Sequence, residues 1–530
     1  MYRKTYVALA CLALVLGTAG CDSFLTGDTL SQNPNLPTNA SAQQLFVGVQ
    51  AGQFAVQEGL TAMFMCTWVQ ACSAGNSRFV QNGAQYVVAE GGIGAADWIS
   101  FYDGGGLIDI KKVEALTAAS GDSVWLGITQ IWEALTMGTV SDMWGDVPYS
   151  EAVSGKTDPV LDDRFVILGN LQTLLTTAIA NLGKSGGGPG VNDLVLEGDK
   201  AAWAQIAWTL KARYYMHTAE SLGTPAYTAA IAAATNGISD PSGASDFASF
   251  HTTATSERNM WAQFQISSGF GTDLEGGKAL IDILKARGDP RLSRYYCKAT
   301  TASWKDTTRY SVNAAILDPN GNMEQVTAIV DTGHNRSGFT QPTWPTTAGA
   351  TTPDSNLTWI NRGLPYVGDD FNTPPPPPVS QFNCLPARFT ATARMPYVSY
   401  LENELILAEA YNQTGNDALA LTHLNNARAV VPLSPLAGLT GAQLLDSIMI
   451  EKYAAMFQNM ESINDYRRTC IPALVHSANA QGFQNVPGRI LYPQAERNVN
   501  PNVPTPNVQF ATHGFRNKGD VHACENDNSR

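Results

Sequence analysis

Residues 401–428 read LENELILAEAYNQTGNDALALTHLNNAR, and this stretch decides the fold class. Leu401, Leu405, Ala408 and Tyr411 recur at helical spacing and form one apolar stripe. Gly415 then permits a tight reversal, because glycine reaches positive φ without a Cβ clash. Ala420, Leu424 and Ala427 form the stripe of a second helix. The pair is a helical hairpin. Its Tyr411, Gly415 and Ala420 stand at the relative spacing of a tetratricopeptide unit, whose small residues let paired helices approach closely. No regular repeat of about 34 residues extends it along the chain.

Outward from this hairpin, apolar periodicity predicts helices near residues 42–70, 123–144, 165–182, 199–222, 276–287, 397–414, 416–430 and 440–468. The expected class is all-α: a tetratricopeptide-like scaffold of helical hairpins carrying long irregular loop insertions. Between about 298 and 392 the character changes. Pro, Gly, Asn and Thr become frequent, Trp304, Trp344 and Trp359 are scattered among them, and loops with short strands are expected.

The N-terminus addresses the compartment. Arg3 and Lys4 precede an apolar run from Val7 to Leu16, and Thr18, Ala19 and Gly20 lead into Cys21. A run this short does not cross a bilayer core of about 30 Å as a helix, so it reads as a secretion signal with a lipobox-like end. Residues 1–20 are thus expected to be a lipoprotein signal peptide, with Cys21 the lipidation site and 21–40 a lipidated tether. Residues 41–530 form a single helical domain with its insertion at about 298–392. The formal charge of −13 becomes −15 once Arg3 and Lys4 leave, which excludes a nucleic-acid surface. With 15% charged residues and 47 glycines, the surface must be dominated by uncharged polar and aromatic groups, which suit hydroxyl-rich ligands.

Cysteines agree with export. Cys66, Cys72, Cys297, Cys384, Cys470 and Cys524 remain for disulfides, and no Cys/His metal spacing is present. Six cysteines allow fifteen connectivities; pairing between chain neighbours is preferred, with Cys297 and Cys384 bracketing the insertion and clamping its base. No metal or cofactor is expected. The seven histidines are dispersed, and there is no nucleophile elbow, Walker loop, dinucleotide fingerprint or distinctively spaced acid pair, so the chain is read as a non-enzyme. Ligand contact is expected from aromatics lying among helix breakers: Trp304, Trp344 and Trp359 first, then Trp98 and Tyr102. The competing expectation for each ring is that it pins an irregular loop to the scaffold.

Several blocks in order resemble the SusD/RagB family. The strongest is Trp144-Gly145-Asp146-Val147-Pro148-Tyr149-Ser150-Glu151-Ala152. Others are Gly198-Asp199 with Trp203 and Leu210-Lys211-Ala212-Arg213, Asp289-Pro290-Arg291-Leu292, and the hairpin from Glu404 to Arg428. Glu451 with Asp465-Tyr466-Arg467-Arg468, and Gly488-Arg489-Ile490-Leu491-Tyr492-Pro493 with Glu496 and Asn500, complete the set. In the signature turn Gly145 permits positive φ, Pro148 fixes an extended path, and Asp146 and Glu151 accept hydrogen bonds; its role is structural. Arg467 and Arg468 are expected to pair with carboxylates such as Asp465 or Glu151. The resemblance implies an outer-membrane lipoprotein facing the cell exterior that captures oligosaccharide for a SusC-like TonB-dependent transporter. The alternatives are a helical interaction or surface-assembly scaffold and a peptide binder.

Cys21→Ser is expected to abolish metabolic fatty-acid labelling and to move the protein from the membrane to the soluble fraction, because the acyl chains are its anchor. An unlabelled variant that still sediments with membranes lacking the transporter would overturn the lipid-anchor assignment.

Overall fold

Polar residues placed just before each apolar stripe set where the helices begin. The structure is a computed structural model that describes residues 40–75, 79–267, 270–475, 483, 485–521 and 524. The expected signal segment, Cys21 and all but the last residue of the tether lie outside these. The chain opens with α1 (Ala42–Gln57), α2 (Leu60–Trp68), β1 (Cys72–Ala74), α3 (Ala95–Tyr102), α4 (Leu107–Ser120) and α5 (Ser123–Trp144). It continues with α6 (Arg164–Leu182), α7 (Lys200–Leu222), α8 (Thr224–Ala234), β2 (Phe247–Ala248), α9 (Met260–Ile266), β3 (Leu274–Gly276), α10 (Lys278–Ala286) and α11 (Leu292–Tyr295). Four strands follow, β4 (Ala315–Leu317), β5 (Met323–Ile329), β6 (Thr351–Asp354) and β7 (Leu357–Asn361), and then β8 (Pro396–Val398). The last helices are α12 (Tyr400–Gln413), α13 (Asp417–Val430), α14 (Gly441–Ala455), α15 (Glu461–Thr469), α16 (Gln494–Val499) and α17 (Pro506–Ala511). Ser41 opens α1 with a reciprocal capping box to Gln44, and Asp122, Asp163, Asp199 and Ser399 cap α5, α6, α7 and α12 through their side-chain oxygens.

Successive helices pack as neighbours: α4 on α5, α5 on α6, α6 on α7, α7 on α8, α8 on α12, and α12 on both α13 and α14. The hairpin expected at 401–428 is α12–α13. Gly415 turns it at φ +82°, and Leu405, Ala408, Ala420, Leu424 and Ala427 are buried with Leu444 and Ile448 of α14. By length and composition α6 could cross a membrane; here it lies between α5 and α7, burying Ile167, Leu171, Leu175 and Ala178. Two expected helices are each divided. The first breaks at Gly59, where a Cβ would lie 2.9 Å from the Ala55 carbonyl, and the second at 456–460, where Gln458 adopts φ +72°. Seven of the described helices, α3, α4, α8, α9, α11, α16 and α17, were not expected from periodicity, and the longest of them are α4 and α8. In α8 the buried face is all alanine, so its stripe has little contrast with the rest of the helix; in α4 the preceding Gly104–Gly106 masks the start.

The short strands expected in the insertion are present and are organised as one sheet. Its strands form an antiparallel sheet in the order β4-β5-β7-β6 over a small core of Ile316, Val326, Trp344, Leu357 and Trp359. The disulfides pair chain neighbours: Cys66–Cys72, Cys297–Cys384 at the base of the insertion, and Cys470–Cys524.

Where α5, α6, α7, α12, α14 and α15 converge, the interior is ionic. Asp142 lies 2.8 Å from Arg164 and 3.1 Å from His217 Nδ1, while His217 Nε2 lies 2.8 Å from Glu461. Arg213 binds Glu402 at 2.6 Å and faces Glu461 at 3.8 Å. Asn464 donates to Asp142 and Glu461 and accepts from Arg467. Arg468 clasps Glu409 and Asp465, Lys452 binds Asp465 at 2.7 Å, and Arg467 reaches Asp520 at 3.5 Å. Asp465 therefore takes an arginine as expected. Glu151 does not: it sits on the surface, engaged with Lys156 and the Val160 amide. In this set Asp142, Glu402, Glu409, Glu461, Asp465 and Asp520 face the permanent cations Arg164, Arg213, Lys452, Arg467 and Arg468, one short of balance. A protonated His217 closes the difference. Burial alone would disfavour its charge, but the facing Asp142 and Glu461 carboxylates outweigh burial and push its pKa up to about 9.

This sets a pH dependence. Because the folded-state pKa is raised from 6.5, the stabilisation from the charged imidazole is complete below pH 6.5 and is lost as the pH rises through about 9. Its size is on the order of 3 kcal/mol. Thermal unfolding of wild type and His217→Gln at several pH values checks it. The variant should melt lower at pH 6, and the gap between the two should narrow toward pH 10; parallel curves would show that His217 carries no charge in the fold.

Candidate functional site

Three separate chain segments are stitched together by backbone contacts. The Cys66–Cys72 disulfide ties the end of α2 to β1, and β1 pairs antiparallel with β3, Cys72 opposite Gly276. Gly277 bridges in parallel to Asp369: the Lys278 amide donates to the Asp369 carbonyl at 3.0 Å, and the Asp369 amide to the Gly276 carbonyl at 2.8 Å. Approach this close requires glycine. A Cβ at Gly277 would lie 2.2 Å from the Gln70 carbonyl, and one at Gly368 would lie 2.4 Å from the Lys278 Cα. Between these segments and residues 473–475 opens a cleft of about 270 Å³.

The cleft has a polar rim and apolar patches. Gln70 and Tyr86 both adopt left-handed backbone, φ +56° and +52°, a conformation that costs energy in non-glycine residues and concentrates at functional sites. Their side chains hold each other: Gln70 Nε2 donates to the Tyr86 hydroxyl at 3.1 Å and to the Val475 carbonyl at 2.5 Å. Ser73 donates to Asp369 Oδ2 at 2.5 Å. Burial raises the Asp369 pKa, the Ser73 hydrogen bond opposes that, and the neighbouring Asp370 charge adds to it. Asp370 accepts from the Asn372 amide at 3.0 Å and from the Thr373 hydroxyl at 3.1 Å, which fixes the loop that carries the half-buried Phe371. Lys278 is exposed on the facing side. The lining thus offers two aromatic rings, the buried Tyr86 and the half-buried Phe371, with amide and hydroxyl groups, two acids and an ammonium group, a set suited to holding a polar ligand by shape and hydrogen bonds.

The aromatics singled out in the sequence lie elsewhere. Trp359 is fully buried and Trp344 nearly so, packed edge to face at 5.6 Å inside the insertion. The indole N–H groups of Trp304 and Trp359 both donate to Asp354 Oδ2, at 2.8 and 3.0 Å. Trp98 is buried against Trp144, centroids 5.2 Å apart, and against Tyr102 at 5.1 Å; the Tyr102 hydroxyl donates to the Pro148 carbonyl at 2.8 Å. The ligand-contact expectation is therefore corrected for Trp98, Trp344 and Trp359, whose faces are covered by packing. Trp304 is half-buried, and Tyr102 is spent on the signature turn. In that turn Gly145 has φ +89°, and Asp146 accepts from the Arg164 amide at 2.9 Å. The cleft residues Gln70, Ser73, Lys278 and Asp369–Asn372 were not singled out in the sequence. The close spacing of Cys66 and Cys72 beside Trp68, and the acidic pair set against Phe371 among helix breakers, are the signals that pointed to them.

A family model described as "Starch-binding associating with outer membrane", SusD-like, matches residues 34–430. The chain belongs to the SusD-like family. Solved structures agree on the fold. A chitin-binding protein is 20% identical with TM-score 0.65, covering 91% of this chain and 100% of its own. A chitin-binding SusD homologue from Flavobacterium johnsoniae is 16% identical with TM-score 0.62, covering 90% of this chain and 99% of its own. A SusD/RagB family protein from Bacteroides thetaiotaomicron is 17% identical with TM-score 0.60, covering 88% and 95%. No curated protein matches the chain.

Trp359→Ala should cost the insertion about 3–5 kcal/mol, since it empties the centre of a small core and removes one indole donor from Asp354. Hydrogen exchange across 304–361 checks this: protection should collapse there while α5–α7 stay protected, and unchanged protection in the sheet would show that the ring is dispensable to it.

Proposed function

We propose that this protein is a non-catalytic, lipid-anchored lipoprotein of the outer membrane, facing the cell exterior, that captures oligosaccharide and passes it to a SusC-like TonB-dependent transporter. The observation that carries the binding step is the cleft at Gln70, Lys278 and Asp369–Asn372. It joins a half-open aromatic ring to amide, hydroxyl and carboxylate groups at the meeting point of three stitched segments. A sugar ring lays its C–H face on an aromatic side chain while its hydroxyls exchange hydrogen bonds with such a rim. Two of the fold neighbours are described as chitin-binding, which makes N-acetylglucosamine oligomers the first ligands to try. Delivery to a transporter rests on family membership and on the signal read at Cys21.

Calorimetry with chitohexaose tests the site. Phe371→Ala and Asn372→Ala should each weaken binding about thirtyfold, the roughly 2 kcal/mol expected of a central contact, while Val191→Ala, exposed and outside the cleft lining, should leave affinity unchanged. Wild-type affinity in both cleft variants would place the ligand elsewhere. Binding of an extended peptide but of no glycan in an array would favour the peptide-binding alternative.

A further inference from the structure

A second cavity, of about 200 Å³, shares no lining residue with the cleft. It opens where the first turn of α12 meets α11, Arg388 and the loop at 241–246. Three arginines line it, Arg291, Arg294 and Arg388, and among the described residues the lining holds one acidic residue, Asp246. Asp246 is already engaged, accepting from the Tyr400 amide at 2.8 Å. Arg388 reaches neutral partners, Gln458 Oε1 at 3.1 Å and the Phe457 carbonyl at 3.4 Å. Arg294 has no carboxylate partner among the described residues. Arg291 is 3% exposed and binds Asp289 and Glu451, but those two acids also serve Arg287 and Arg428, and Arg291 Nη1 is left without a hydrogen bond. Asp240, at the rim, is taken up by the Ser242 amide and hydroxyl.

Positive charge is thus left over around this cavity on a chain whose formal charge is −13. The first amides of the 14-residue α12 are already taken, that of Tyr400 by Asp246 and that of Glu402 by Ser399, so the arginines carry the excess charge. Burial holds the Arg388 guanidinium below its usual pKa, with Tyr295 and Glu58 opposing, as expected of a cation removed from water without a full counter-charge. Such a group is costly until an anion reaches it. The remaining wall is flat and apolar, with Tyr400, Pro241 and Val431.

We propose that this cavity is a second ligand site, built for a small oxyanion: the chemistry shared by inorganic sulfate or phosphate and by the carboxylate of an acidic monosaccharide. The anion lies between Arg388, Arg294 and Arg291 Nη1 at the head of α12, and the apolar wall accepts whatever ring the oxyanion carries. The site is independent of oligosaccharide capture in the cleft.

Titration calorimetry of the purified protein at constant ionic strength, with sodium sulfate, sodium phosphate, glucuronate and neutral glucose, tests it. Saturable binding of an oxyanion, absent for glucose and weakened tenfold or more in both Arg294→Gln and Arg388→Gln, is the expected result. Glucuronate binding tighter than the inorganic ions would name the acidic sugar as the source, and the reverse order a free oxyanion. Arg294 is exposed, so its variant should fold even if the Arg388 variant does not, and far-UV circular dichroism checks both. No saturable binding of any of the three anions, or binding unchanged in Arg294→Gln, would overturn the proposal.

Discussion

His217 stands between Asp142 and Glu461, and the ion pairs around this imidazole tie the helices of the scaffold to one another. The groups around it come from α5, α6, α7, α12, α14, α15 and the C-terminal segment, and most of these charges are met from a different helix. Buried ion pairs of this kind add little net stability compared with apolar packing of the same volume, but losing one partner costs about 3–5 kcal/mol because the other charge is left stranded. The network therefore acts less as glue than as a register. Sliding α15 by one turn against α7, α12 and α14 would part Glu461 from His217, Arg468 from Glu409 and Asp465 from Lys452 at once. Asp142, His217 and Glu461 also have the donor types of a metal site, with atoms within 4.8 Å of one another. Arg164 on Asp142 and Arg213 beside Glu461 argue against a divalent cation there, since both already supply the positive charge that a metal would bring.

The resemblance blocks that lie far apart in sequence meet beside this network. The signature turn docks on the C-terminal block: Trp144 Nε1 donates to the Leu491 carbonyl at 3.1 Å, Arg489 donates to the Trp144 carbonyl at 3.0 Å, and the Ile490 amide donates to the Met143 carbonyl at 2.8 Å. Glu496 accepts from Trp98 at 3.3 Å, and Asn500 donates to the Pro159 carbonyl at 2.9 Å. The motifs most visible in the sequence are thus the joints of the scaffold. Residues that make such a joint are hard to exchange without breaking several hydrogen bonds together.

That explains what the sequence could and could not disclose. Helices with a strong large-residue stripe, such as α5, α7 and α12, were legible from spacing alone, and so was the α12–α13 turn at Gly415. The all-alanine face of α8 was not, because periodicity needs contrast between faces. The pairing of Arg468 with Asp465 was readable at three residues' separation on one helix, whereas Glu409, its other partner, lies across α12. The cleft was hidden for a different reason. Its walls are joined through backbone bridges at Gly277 and Asp369 and through side chains as far apart as Gln70 and Val475, and such contacts leave no periodic trace.

The misplaced tryptophans carry a physical lesson about insertions. The four-stranded sheet has one face to bury and few residues with which to bury it, so a handful of large rings must supply the apolar area that a helix layer would otherwise provide. Indole suits this role because its N–H needs an acceptor when buried. Asp354 meets that need twice over, taking Trp304 and Trp359 on one oxygen and the Gly338 amide on the other at 2.7 Å. A tryptophan among helix breakers is therefore as much the mark of a small independent core as of a ligand platform, and a nearby buried carboxylate that collects indole N–H groups separates the two. In the cleft the reverse holds. Its half-open ring, Phe371, has no polar atom to satisfy and lies beside Asp370 and Asn372, which line the same space.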